Sequence, residues 1–304
     1  MATNTDLSVI MSVYHKDKPA ALRTCLDSLL GQTLQAEEIL VTADGPLDAE
    51  LDAVLAEYSE YITLFRLPEN RGSAVARQRS LDEVNTTYFA VMDADDVCLP
   101  QRFATQLPVL VDGNLDVVGA AMYEFDGDGH GAPEDLVIAQ RAGTKTSEIA
   151  SRVKMATPFN HPTVLMRTES VRAAGGYRAV AFLEDYDLFA RLLANGAKAA
   201  NLAEPLLYFR VNDAMFQRRL NKQAFVSEWQ LQRNLVSYGL ISWPRAVFNF
   251  LLRNTFRLLP RPLLRLAYRV LFRSAARAAG TAQTARAAGT AQTAQPGAPK
   301  PVTE

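Results

Sequence analysis

Six carboxylates, grouped in two short stretches, are the residues of this chain best placed to do chemistry. Asp93, Asp95 and Asp96 follow an apolar run at 88–92. Such a run reads as a buried strand, and like charges crowded at its carboxyl end raise one another's pKa unless a cation neutralises them. Hard oxygen ligands of this kind suit Mn²⁺ or Mg²⁺. The carboxyl ends of strands in open α/β sheets are also where ligands bind. The competing account is an acidic turn that caps a helix opened by Pro100. Glu184, Asp185 and Asp187 crowd the first turn of a second, amphipathic helical segment. Either they answer the helix macrodipole, or one of them is a general base facing the first cluster.

Those groups need a scaffold, and the chain supplies a repeating one. A β-branched run at 7–13 leads to a helix that Pro19 opens, with Leu22, Leu26, Leu29 and Leu30 on one side. The pattern returns as a strand at 38–42 with a helix at 49–58, and as a strand at 61–67 with a helix at 73–84. Three such units before the acidic strand predict a parallel sheet covered by helices. Two loops at strand ends are polar. Asp44-Gly45-Pro46 closes the second strand, and Asn70-Arg71-Gly72-Ser73 precedes a helix whose amino end can hold an anion, with Arg77 one turn further in. Both also read as ordinary turn and cap chemistry. A less regular half follows, with a strand over 116–125, a Gly and Asp loop carrying a solvated His130, then His161-Pro162-Thr163 and Gly175-Gly176-Tyr177.

The 304 residues are 48% hydrophobic and 21% charged, ordinary globular composition. A formal net charge of −1 conceals a division, because residues 1–228 carry −11 and residues 229–304 carry +10. From Arg253 to Arg277 an arginine recurs at every fourth position among Leu, Phe and Tyr. Such pieces lie on anionic membrane surfaces, the alternative being a helical pair packed on the body. Two nine-residue copies, 276–284 and 285–293, contain no large apolar residue and read as disordered. Cys25 and Cys98 are too few for a disulfide framework and read as buried hydrophobes of a protein in reducing cytosol. The polar start at 1–6 carries no signal-peptide pattern.

Together these stretches resemble glycosyltransferase family 2 over roughly residues 6–220, most closely the bacterial exopolysaccharide transferases of the amylovoran-biosynthesis type. The resemblance implies an inverting enzyme of α/β, GT-A fold: a Rossmann-like, mostly parallel sheet flanked by helices, with a C-terminal amphipathic helical extension and a disordered tail. By it, Ser12 and Tyr14 end a first strand that lies on the nucleotide base, and Asp44 hydrogen-bonds that base. Asn70, Gly72 and Arg77 match further donor-side positions. Asp93-Ala94-Asp95 resembles the DXD motif, with Asp95 the ligand of Mn²⁺ or Mg²⁺ and Asp93 nearer the ribose. Glu184-Asp185 is similar to the acidic pair whose aspartate is the catalytic base, and His161 and Tyr177 belong to acceptor-side motifs. Ala43 departs from the many members that carry a second acid there. Arg218 and Arg219 are candidates to close over the diphosphate.

The expected organisation is a transferase domain at 1–220, with a nucleotide half to about 112 and an acceptor half from 113, then basic amphipathic helices at 221–277 and a tail at 278–304. The expected partners are a nucleoside diphosphate sugar, a glycan or lipid-linked acceptor and, through 245–277, an anionic membrane; nucleic acid is not among them. The expected place is the cytoplasmic face of the inner membrane. Two rival readings are a haloacid-dehalogenase-like phosphatase, with Asp93 as covalent nucleophile, and a noncatalytic sugar-nucleotide-binding protein. Position argues against the phosphatase, whose acidic motif ends the first strand.

Overall fold

The β-branched run forms β1 (Leu7–Val13), buried along nearly its whole length, and it sits between two parallel neighbours, β2 (Glu38–Ala43) and β4 (Tyr88–Asp93). The structure is a computed structural model, and it describes residues 5–127, 129, 131–211 and 222–258. His130, Arg218, Arg219, the arginine repeat beyond 258 and the tail lie outside the described residues. The chain divides into two compact units, Met1–Leu251 and Leu252–Glu304; the contacts below lie within the first.

Alternation along the strands assigns the two faces of the sheet. Val9, Met11, Val41 and Met92 pack under α1 (Pro19–Leu30), α2 (Ala49–Glu57) and α4 (Arg102–Asp112). Ile10, Leu40 and Val91 pack under α3 (Ser73–Glu83), α6 (Thr168–Ala173) and α7 (Glu184–Ala194), and Ile149 of the short α5 (Ile149–Arg152) joins the same cluster. Both cysteines are buried and free.

The sheet runs β3-β2-β1-β4-β8-β6-β9-β5, with β3 (Thr63–Arg66), β5 (Val97–Cys98), β6 (Val117–Asp126), β8 (Leu165–Arg167) and β9 (Ala199–Val211), while β7 (Val137–Arg141) pairs β6. The first four strands are parallel as expected. The other half is mixed: β8 runs antiparallel to β4 and β6, β9 runs parallel to β6, and β5 runs antiparallel to β9. Three residues separate β4 from β5, yet β5 lies at the far end of the strand order. The Asp93–Val97 turn therefore spans the two arms of a curled sheet.

That turn also corrects the expectation at Pro100. The helix begins at Arg102, its N-cap is Gln101 without a side-chain cap, and β5 intervenes, so none of the three aspartates caps a helix. The first compact unit runs past 220 and takes in α8 (Lys222–Ser237) and the start of α9 (Trp243–Leu258). Among the described residues no helix is long and apolar enough to cross a membrane.

Candidate active site

Strand register brings the donor-side candidates together. Ser12 of β1 lies opposite Thr42 of β2 and Asp93 of β4, so three polar residues form one row across the carboxyl ends of parallel strands. The row faces α3, since Thr42 Oγ1 and Ser80 Oγ are 2.8 Å apart. Tyr14 follows β1, where its amide donates to Asp17 Oδ2 at 2.9 Å.

Asp44 is buried, and its two carboxylate oxygens accept the amides of Arg71 at 2.7 Å and Gly72 at 2.9 Å. The loop before α3 is thus held by a side chain of the protein itself. Gly45 makes this junction possible: its φ is +87°, and a Cβ would lie 2.5 Å from the Asn70 nitrogen. Asn70 itself is exposed at the rim.

Arg77 enters from α3 and joins the two acidic clusters. Its Nη2 donates to Asp93 Oδ1 at 2.6 Å and its Nη1 to Glu184 Oε1 at 3.0 Å. Ser73 Oγ also donates to Glu184 Oε1, at 2.5 Å. Burial works against the guanidinium charge, but Asp93 and Glu184 more than offset it and keep Arg77 protonated. Burial likewise pushes Asp93 up, and Arg77 outweighs it to hold the carboxyl below its usual range. Arg77 is therefore a brace between two carboxylates, with a bond from each terminal nitrogen.

Asp96 is fully buried, and burial, with Asp95 and Asp93 adding, pushes its carboxyl well above the usual range. Its Oδ1 accepts the Arg210 amide at 2.9 Å, while its Oδ2 has no partner. Arg210 Nε donates to the Asp95 carbonyl at 2.8 Å, so the end of β9 clips the acidic turn from the far arm of the sheet. The sequence offered no signal for this role beyond a Tyr-Phe-Arg string. It also missed Arg102, which is fully buried and donates to the Val91 carbonyl at 3.0 Å and to Gln106 Oε1 at 3.2 Å. Its charge helps to lower Asp93.

The acids of α7 have three different fates. Glu184 is held by Arg77 and Ser73. Asp187 is fully buried, its Oδ2 paired with Arg191 Nε at 2.9 Å and its Oδ1 accepting from Asn234 Nδ2 at 2.8 Å and Tyr238 Oη at 2.9 Å, which fastens α8 to α7. Asp185 is half-buried, and burial, reinforced by Glu184, pushes it up to about 7. A carboxylate poised near neutral pH suits a general base. Asp187→Asn is expected to lower stability by roughly 1–3 kcal/mol, the cost of disturbing a buried charge-assisted network, with catalytic pH dependence unchanged. A shifted pH profile in that variant would mean that Asp187 shares the base role.

His161 and Tyr177 share a 3.0 Å hydrogen bond beside this cluster. Burial and the nearby Arg77 push the imidazole down to about 3, so it stays neutral at working pH. Gln78 Oε1 accepts the Tyr177 amide at 2.7 Å, and Arg191 Nη2 donates to the Gly176 carbonyl at 2.7 Å. Gly176, at φ +59°, leaves room for Gln78, which a Cβ would meet at 2.1 Å.

Among the described residues no group of three or more His, Cys, Asp or Glu is arranged to hold a metal. Of the three aspartates, Asp93 is ion-paired, Asp96 is buried with a raised pKa, and Asp95 is half-buried. A single carboxylate suits Mg²⁺ or Mn²⁺ bound mainly by substrate phosphates and water, and does not suit an all-protein metal cage.

The model of glycosyl transferase family 2 matches residues 8–173. The chain is 34% identical over 265 residues to the amylovoran biosynthesis glycosyltransferase AmsE of Erwinia amylovora, covering 86% of this chain and 97% of that protein. It is 28% identical over 269 residues to the UDP-Gal:alpha-D-GlcNAc-diphosphoundecaprenol beta-1,3-galactosyltransferase of Escherichia coli, covering 88% and 96%. The mannosyltransferase PcManGT of Pyrobaculum calidifontis, solved with GDP-Man and Mn²⁺, shares the fold at a TM-score of 0.55 and 16% identity, covering 84% of this chain and 81% of that one.

Proposed function

The chain belongs to glycosyl transferase family 2, and on that basis we propose that it moves a sugar, with inversion, from a nucleoside diphosphate sugar to a hydroxyl of a lipid-linked glycan in bacterial surface polysaccharide synthesis. The observation that carries the mechanism is the division of labour on α7, where Glu184 and Asp187 are held by cations and Asp185 is poised near 7. Asp185 takes the proton of the acceptor hydroxyl as that oxygen attacks the anomeric carbon. The bond to the diphosphate breaks on the opposite face, so the configuration inverts and no enzyme nucleophile is needed. The transition state has the oxocarbenium character of glycosyl transfer.

On the donor side the row of Ser12 and Asp93, with Tyr14 beyond it, receives the nucleoside. Asp44 orders the Asn70–Gly72 loop and has lone pairs left for the base. Asp95 would hold Mn²⁺ or Mg²⁺ together with the diphosphate, and such an ion would supply neutralisation of the leaving group's charge. Asp96 and Arg210 keep the backbone of that turn in place. Arg218 and Arg219 are proposed to meet the diphosphate, and His161 with Tyr177 to border the acceptor. The phosphatase alternative fails on family and on geometry, because its nucleophile would be Asp93, which is ion-paired with Arg77.

The lipid-linked acceptor is supported by the diphosphoundecaprenol substrate in the Escherichia coli relative's name. A net +10 over residues 229–304 supports a site of action against the anionic inner face of the membrane, with 245–277 turned to it.

Asp95→Ala is expected to abolish the part of nucleoside diphosphate affinity that depends on Mn²⁺ or Mg²⁺, read by calorimetry with and without chelator. Equal affinity in all four combinations of protein and chelator would overturn the metal assignment. The reaction is tested by turnover of a panel of nucleotide sugars with a lipid diphosphate-linked acceptor. Retained anomeric configuration in the product would rule out the mechanism.

A further inference from the structure

Helix α9 is turned inside out for a helix resting on a protein core. Its polar Asn249 is fully buried, while Trp243, Val247, Phe248 and Leu251 are 53%, 44%, 51% and 59% exposed. At 100° per residue these four cover a continuous arc of about 140°. The side packed inward carries a polar network beside the buried Ala246: Asn249 Nδ2 donates to the Lys154 carbonyl at 2.9 Å and to Gln232 Oε1 at 3.2 Å, and Gln232 Nε2 donates to Glu228 Oε1 at 2.9 Å. Glu228 and Gln232, on α8, are fully buried too. On the outer side of α8, Val226 and Trp229 extend the apolar surface, and the Trp229 and Trp243 rings lie 6.4 Å apart. Six of the eleven exposed large hydrophobic side chains among the described residues thus stand on this one helix pair. Scattered exposed hydrophobics need no explanation, but a contiguous set marks an interaction surface.

Charge selects the occupant. Arg245 reaches over the Phe248 ring at 5.5 Å, Arg233 is exposed one turn beyond Trp229, and no acid occurs from residue 229 to residue 303. A second copy of the chain would bring an equally basic surface against this one. An anionic bilayer complements both its charge and its apolar arc, and tryptophan favours the membrane–water interface.

We infer that the Trp229, Trp243, Val247, Phe248 and Leu251 face of α8 and α9 inserts into the headgroup region of an anionic bilayer and is the protein's membrane anchor within its first compact unit. This rests on the proposed membrane site of action and places the contact upstream of the arginine repeat, on the folded unit itself.

Trp229 and Trp243 are the only tryptophans of the chain, so its intrinsic fluorescence reports this face. The full chain is mixed with vesicles of phosphatidylcholine and phosphatidylglycerol, or of phosphatidylcholine alone. A blue shift and quenching by acyl-brominated lipid are expected with the anionic vesicles only. The double variant Val247→Glu, Leu251→Glu, changed at exposed positions and with the tail intact, is expected to lose both signals while its circular dichroism and nucleotide binding stay at the wild-type level. Co-sedimentation with unchanged fluorescence would overturn the inference in favour of the tail. A blue shift that depends on protein concentration without vesicles, together with dimer mass, would overturn it in favour of a second copy. Nucleotide binding, measured in parallel on the wild type, separates these outcomes from failure of the transferase reading.

Discussion

Asp185→Asn is expected to lower sugar transfer by roughly 10²–10⁴-fold, the range for loss of a positioned general base, while donor binding persists. The substitution keeps the size of the side chain and removes its basicity. In the wild type the base works only when deprotonated, so kcat/KM is expected to rise with pH and level off above about 7, where burial and Glu184 have placed the carboxyl. The raised pKa also has a consequence for stability. In the folded state it lies above the ordinary 3.8, so the folded chain keeps a proton that the unfolded chain releases near pH 4. Stability is favoured below that value and declines as pH rises through the interval to about 7. Asp185→Asn does not titrate, so above pH 7 it should exceed the wild type by about 1–2 kcal/mol, a figure discounted for partial exposure from the roughly 1.4 kcal/mol that accompanies each tenfold change in proton affinity. The difference should vanish toward pH 4. Loss of activity with a gain in stability is the signature sought. An active variant with a wild-type stability profile would move the base elsewhere.

Arg77→Met is expected to destabilise the fold by roughly 3–5 kcal/mol, because it strands two carboxylates that the guanidinium now pairs at 2.6 and 3.0 Å. The methionine fills much of the volume, so the effect isolates the charge. Arg77→Lys should recover only part of the loss, since an ammonium lacks the fork that reaches Asp93 and Glu184 together. Denaturant midpoints at constant slope measure both variants. If Arg77 instead bound the diphosphate, Arg77→Met would lose nucleotide affinity and keep its midpoint. Joining Asp93 on β4 to Glu184 on α7 also sets the distance between the donor row and Asp185. The variant should therefore lose transfer activity even where enough folded protein remains to assay.

Much of the donor half was legible along the chain because its signals are local. A β-branched run over 7–13 and an apolar period of 3.6 after Pro19 depend on neighbouring residues only, and β1 and α1 begin where those patterns begin. β5 was not legible, since two residues hold no period, and its partner Leu207-Tyr208 lies more than a hundred residues downstream. The strand expected over 116–125 is β6, but the mixed pairing of that arm was not legible, because its ladders join strands far apart in the chain. The inverted face of α9 shows the converse, because its spacing announces an amphipathic helix and does not say which side is covered.

Residue order alone supplies the inventory: three aspartates after a buried strand, three acids in one helical turn, and the strand and helix repeats that put the first group at the carboxyl edge of a parallel sheet. What each acid touches is decided in three dimensions. Neighbouring residues on a helix point about 100° apart, so Glu184 meets Arg77, Asp187 meets Arg191 and α8, and Asp185 is left with a raised pKa. In the other group Asp93 meets Arg77 and Asp96 meets the amide of Arg210, a contact made across 114 residues by the curl of the sheet. Protonation depends on burial and on the nearest charge, and both are set by elements that the chain brings in from far away.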